Sequence, residues 1–147
     1  MPSRDLKDAH PDLQRAFTEI AARFATWFPG WKLIVVTTYR SAAEQLIEYR
    51  AGRSQLDGTR KVGRHNSKPS NAIDVMIVSP SGVLIDGLFA NGKVSREMFV
   101  AMYGLVGQWA QEIGLRWGGD WDGDKVPVGP DPTESFDDIY HIERLNP

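Results

Sequence analysis

The sequence contains no cysteine, so it forms no disulfide framework, thiol nucleophile, iron–sulfur cluster or thiolate-bound zinc. Histidine is scarce as well. His10, His65 and His141 are the whole supply, so a metal site must combine few imidazoles with carboxylates. No stretch approaches the roughly 18 to 20 unbroken apolar residues that cross a bilayer, and the opening MPSRDLKDAHPDL lacks the apolar core of a signal peptide. Synthesis in the cytoplasm, with no Sec-type address and no membrane anchor, is the expectation. An excess of one charge is also missing. The net charge is −2, whereas nonspecific nucleic-acid binding needs a basic face, so nucleic acid is not an expected partner.

What is present fits one folded domain over 1–147: 147 residues, 41% hydrophobic and 24% charged, with no internal repeat, low-complexity tract or linker. The near-neutral sum hides a segregation. Arg50, Arg53, Arg60, Lys61, Arg64 and Lys68 stand against the single acid Asp57. From Glu112 to Glu143 the balance reverses, with Asp120, Asp122, Asp124, Asp131, Glu134, Asp137 and Asp138 between them against Arg116 and Lys125. Two solvated loops would explain this. So would a cleft with walls of opposite sign, suited to a substrate carrying both charges.

Apolar residues at helical spacing (Leu13, Phe17, Ile20, Ala21, Phe24, Phe28) predict a first helix, with Pro11 in its first turn and His10 setting its start. KLIVVTT then reads as a buried strand. Ser41 and Glu44 have the spacing of a capping box for a second helix that ends near Gly52. Residues 53–70 are polar, basic and aperiodic, hence a long loop of the kind that is often functional. NAIDVMIV is a strand, SPSG a turn and VLI a second short strand. Met98, Phe99, Met102, Leu105, Val106, Trp109 and Ile113 mark the apolar stripe of the longest helix, which leaves through Gly114 into a strand at LRWGG. A second long loop follows, and DIYHIERL closes the chain as a strand. This order predicts an α+β fold with a small, largely antiparallel sheet flanked by helices.

Chemistry concentrates on few residues. A histidine in a polar loop is commonly just solvated, but His65 ends the basic loop and Asp74 lies inside an apolar strand, where a carboxylate needs a partner. His141 shares a strand face with Ile139, and Asp138 falls on the other face or just before the strand. Two histidines and an aspartate form the ligand set of a catalytic zinc that keeps its fourth position for water. Asp138, three residues before a ligand, is placed to act as base on that water.

The run RHNSKPSNAID resembles the His-Asn-x-x-Pro-Ser-x-Ala-x-Asp segment of phage L-alanyl-D-glutamate endopeptidases. These zinc endolysins are related to D-alanyl-D-alanine carboxypeptidases and vancomycin-resistance dipeptidases. VVTTYRSAAEQLIEYRAGR is similar to their strand, Tyr-Arg-Ser-x-x-x-Gln helix and Gly-Arg ending. HPDL, LRWGGDW and DDIYHIE are similar to the family's opening and closing segments, so the likeness follows the family's order over nearly the whole chain. It implies the hedgehog/D-Ala-D-Ala-peptidase-like fold. It also implies zinc held by His65, Asp74 and His141, with Asp138 as general base passing a proton to the leaving amine. Arg40 would stabilise charge at the scissile carbonyl or meet a neighbouring carboxylate; its alternative is a capping or surface role. Gln45 would contact substrate, or else be an exposed helix glutamine.

Some positions depart from the pattern. Gly63 stands where the family often has serine, which removes a possible hydrogen bond but no ligand. Asp137 adjoins Asp138 as a second candidate base. Asp120, Asp122 and Asp124 alternate as in a calcium loop, yet Lys125 stands where such a loop needs glycine. Trp117 and Trp121 are expected to pack beneath the cleft or line it. The resemblance implies a monomeric zinc peptidoglycan hydrolase of one catalytic domain, without a separate wall-binding domain, that cuts the L-alanyl-D-glutamate bond of the stem peptide. It would collect in the host cytoplasm and reach the periplasmic or extracellular wall once a holin opens the membrane. The alternatives are a D-alanyl-D-alanine carboxypeptidase or dipeptidase with the same zinc chemistry, and a non-catalytic peptidoglycan-binding module.

Overall fold

The structure is a computed structural model that describes residues 2–120 and 138–145. Helix α1 spans Pro11–Trp27, with the His10 ring nitrogen Nδ1 accepting the Asp12 amide at 3.1 Å and proline in the first turn. Leu13, Ala16, Ile20 and Phe24 are its buried face, with Phe17, Ala21 and Phe28 packed beside them. Strand β1 (Lys32–Thr37) follows, then helix α2 (Ala42–Arg50), whose start carries the full capping box between Ser41 and Glu44. Strand β2 (Ala72–Val78), helix α3 (Ile85–Ala90), helix α4 (Arg96–Glu112), strand β3 (Leu115–Trp117) and strand β4 (His141–Arg144) complete the order. Short 3-10 turns lie at Leu6–Asp8, Arg64–Asn66 and Gly118–Asp120. The 53–70 segment is otherwise free of regular elements, as its composition predicts.

The four strands form one antiparallel sheet in the order β1-β2-β4-β3, so the fold is α+β. On β2, Ile73, Val75 and Ile77 are buried in the same core as α1 and α4. The intervening Asp74 therefore faces the other side of the sheet, because strand side chains alternate. Register does the rest. Asp74 is the Cα partner of Thr37 on β1 and of His141 on β4, so the sheet sets the end of β1, the middle of β2 and the start of β4 in one row.

Three expectations are corrected. VLI is no strand: it makes a single bridge, Val78 to Leu84, and the chain turns at once into α3, which its short apolar sequence did not reveal. On α4, Met98 and Ile113 are 39% and 41% exposed, while Tyr103, Gly107 and Ala110 are buried instead. The helix has rotated its small residues inward because Trp117 lies against Gly107, where an added Cβ would stand 2.0 Å from the indole. Finally, the last strand begins only at His141. Asp138 precedes it, with Ile139 and Tyr140 in a turn closed by the His141 amide on the Asp138 carbonyl.

Candidate metal centre and cleft

His65, Asp74 and His141 converge, each offering a ligand atom within 4.8 Å of the others. They arrive from three directions. Asp74 comes from the middle of β2 and His141 from the start of β4, while His65 sits in the 3-10 turn at Arg64–Asn66. That turn is tied to the β1–α2 connection: the Arg40 amide donates to the His65 carbonyl at 2.8 Å, and Asn66 Nδ2 donates to the Arg40 carbonyl at 2.9 Å. The conspicuous His-Asn pair thus has a physical basis, since Asn66 fastens the turn that carries His65.

The ring orientations test whether a cation suits the cluster. His65 Nδ1 lies 2.6 Å from the Thr38 carbonyl, which can only accept, so Nδ1 carries the proton and Nε2 presents its lone pair. That Nε2 is buried without a hydrogen-bond partner and faces Asp74 Oδ2 at 3.2 Å. On the other side, His141 Nε2 bonds Glu143 Oε1 at 2.9 Å and turns Nδ1 to Asp74 Oδ1 at 3.2 Å. A carbonyl and a carboxylate behind the two imidazoles are the supports that metal-ligating histidines use. The two rings thus face the two oxygens of one carboxylate, His65 at Oδ2 and His141 at Oδ1, with the nitrogens and an oxygen grouped closely enough to share one ion. Two nitrogens and one oxygen suit zinc among the common divalent ions.

The electrostatics also call for a positive centre. Burial works to raise the Asp74 carboxyl, but its interactions with the His65 and His141 rings outweigh it and hold Asp74 well below the usual carboxylate range. Burial opposes protonation of His141, yet hydrogen bonds to Asp74 and Glu143 prevail and push its pKa up to about 10. Asp138 Oδ2 stands 3.8 Å from His141 Nδ1. Burial pushes this carboxyl up to about 6, against the pull of the His141 ring and with the Asp74 charge adding to the rise. A group near 6 can accept a proton at neutral pH and return it, which a carboxylate at its ordinary value does less well.

Arg40 stands beside the cluster: Nη2 is 4.0 Å from Asp74 Oδ2 and Nη1 donates to Gln45 Oε1 at 3.1 Å. Its Nε is buried without a hydrogen-bond partner. Gln45 is only 2% exposed, so the exposed-glutamine alternative is corrected. Its amide nitrogen donates to Ser54 Oγ and the Leu56 carbonyl, so the side chain ties the basic loop to Arg40. Trp117 packs beneath the site, 3% exposed, and donates from its indole to the Ile139 carbonyl at 2.9 Å, just before His141.

Arg40, Gln45, Asp138 and the cluster of His65, Asp74 and His141 line a cleft of about 570 Å³. Among the described residues its lining carries both signs, Arg40, Arg53, Arg64 and Arg116 with Glu48, Asp74, Asp138 and Glu143. Glu112, from the acidic stretch, pairs instead with Arg23, and Asp120 is bonded by Gln111. Trp121, Asp122, Asp124 and Asp137, with the calcium-loop and second-base readings attached to them, lie outside the described residues. Glu143 is the residue that sequence reading missed. It is 5% exposed and is held by His141, with Arg64 Nε at 3.3 Å. Its signal was present, for an acid two residues beyond a strand histidine shares that histidine's face.

Fold and cluster together define an antiparallel α+β domain with a His-Asp-His group at the floor of a cleft. No family model matches the chain, and no curated protein sequence matches it. Among solved structures, the chain is similar to the L-Ala D-Glu endopeptidase ChiX of Serratia marcescens, with a TM-score of 0.55 and 25% identity. The match covers 98% of this chain and 88% of that one.

Proposed function

We propose that this chain is a zinc-dependent peptidoglycan hydrolase that cuts the L-alanyl-D-glutamate bond of the stem peptide. The observation that carries the reading is the lone-pair face of His65 Nε2, set with Asp74 and His141 at the floor of a cleft. Similarity over nearly the whole chain to a structure described as an L-Ala D-Glu endopeptidase supports the same reading. In this proposal His65, Asp74 and His141 hold zinc, which when bound would supply Lewis-acid activation of water and of a carbonyl oxygen. Asp138 accepts the proton of the attacking water and delivers it to the leaving amine. Arg40 directs its guanidinium at charge developing on the scissile carbonyl, with Gln45 fixing its orientation at the substrate's edge. The Thr38 carbonyl and Glu143 keep the two imidazoles in the tautomers that ligation requires.

The wider role belongs to the same proposal: a monomeric endolysin of phage origin that reaches the wall once a holin opens the host membrane. Among the described residues no helix is long and apolar enough to cross a membrane. Purified peptidoglycan digested with the zinc-loaded protein tests the reading. New amino-terminal D-glutamate is the expected product. Released D-alanine would move the assignment to a carboxypeptidase or dipeptidase, and an intact wall with bound protein would move it to a binding module.

A further inference from the structure

The cleft's arginines are unequally satisfied. Arg53 closes on Glu48, with Nε at 2.7 Å and Nη2 at 3.2 Å from its carboxylate oxygens. Arg40 is engaged by Gln45 and stands beside Asp74. Arg64 differs. Its Nε lies 3.3 Å from Glu143 Oε2, on a carboxylate whose Oε1 already takes the His141 hydrogen bond and whose Oε2 also stands 4.0 Å from Arg116. Arg64 Nη1 is buried with no hydrogen-bond acceptor, while the side chain as a whole keeps 31% exposure and lines the cleft. A guanidinium has five donors and favours a planar, two-oxygen acceptor. Held at Nε by a shared carboxylate, and partly exposed where it lines the cleft, the guanidinium keeps donors to offer a group that enters there.

We propose that Arg64 forms a carboxylate-binding subsite beside the metal cluster, reading an anionic group on the substrate residue next to the scissile bond. The inference rests on the peptidase reading above and names what that site recognises. Arg64 directly precedes His65 and is joined through Glu143 to His141, so a bound carboxylate is registered against both imidazoles. The D-glutamyl residue fits this chemistry. Its chain continues through the γ-carboxyl, which leaves the α-carboxylate free beside the bond to be cut. Amidation of that group keeps its shape and removes its charge, so the subsite separates carboxylate from carboxamide stems.

Two synthetic stem peptides differing only in that carboxylate or carboxamide provide the test, with cleavage and equilibrium binding both measured on the zinc-loaded protein. The wild type is expected to favour the carboxylate peptide by about tenfold or more, chiefly through KM and Kd, as a charged hydrogen bond would give. R64Q is expected to bring the two peptides within about twofold of each other at unchanged zinc content, a loss in line with that one bond. R64K, which keeps the charge without the fork, should lose at least about threefold of the preference. It decides the matter if R64Q folds poorly or loses zinc. Equal wild-type binding of the two peptides, or an undiminished preference in the decisive variant, overturns the subsite even if cleavage is robust. If neither peptide is cut but the carboxylate form binds selectively through Arg64, the subsite stands and the peptidase reading falls.

Discussion

At the scale of single residues, the site depends on which atom of each side chain faces inward. Among the cleft's described carboxylates, Asp138 is the one that burial holds above its ordinary value, at about 6. Replacing it with asparagine preserves the shape and removes the base. D138N should therefore keep its zinc and cut peptidoglycan at least ~100-fold more slowly. Rates on purified wall, read beside elemental analysis, check this, and a variant with near-native rate would remove Asp138 from the reaction. Glu143 acts one bond further out, through His141 Nε2. E143Q should weaken zinc binding by about 10- to 100-fold, as losing such a support does elsewhere. Competition with a chelating indicator measures that affinity, and native affinity would show that Glu143 only neutralises Arg64.

At the scale of elements, two contacts hold the site's scaffold. Trp117 on β3 is clasped between Gly107 of α4 and Gly119, whose added Cβ would lie 2.2 Å from the indole. No side chain fits either position without moving the ring, and the ring in turn holds the Ile139 carbonyl before His141. G107A should destabilise the fold by ~1–3 kcal/mol through overpacking, measured by urea unfolding; an unchanged midpoint would mean that helix and strand part easily. Behind the sheet, Asp86 on α3 accepts from Tyr103 at 3.1 Å and from Tyr140 at 2.5 Å, and the Tyr103 hydroxyl accepts the Ile77 amide. Burial is the main reason that the Tyr103 phenol is raised above its ordinary value, with the Asp86 charge adding to it. A raised phenol holds its proton in the folded state after the unfolded chain has lost it. Its contribution is thus complete below about pH 10, the unfolded value, and declines as pH rises beyond it. Stability should fall more steeply above that pH in the wild type than in Y103F, and parallel slopes in chemical denaturation would refute the linkage.

At the scale of the whole molecule, the metal should couple to folding, because His141 lies far along the chain from His65 and Asp74 and the three meet only in the native state. Zinc at about a hundredfold its Kd should stabilise the fold by ~2.7 kcal/mol, visible as a higher Tm that a chelator reverses and H141A largely abolishes. An H141A protein with the full zinc-dependent rise would exclude His141 from the ligand set. Much of this organisation was readable beforehand. Helix α2 announces itself by Ser41 and Glu44 and α1 by its apolar stripe, since both signals are local in the chain. Helix α3 and the inward turn of Tyr103 and Gly107 were not readable, because they answer to partners elsewhere in the fold. The sequence by itself determined the chemical inventory, namely no thiol, three imidazoles and a carboxylate within an apolar strand, and its motifs selected His65, Asp74, His141, Asp138 and Arg40. Only the tertiary structure decided which nitrogen each histidine turns inward, that Glu143 stands behind His141, and that Gln45 is buried against Arg40 and the basic loop. Those are matters of hydrogen bonding between groups that the fold brings together, the longest from His65 to the Thr38 carbonyl across 27 positions, and of all this linear spacing carries only the shared strand face of His141 and Glu143.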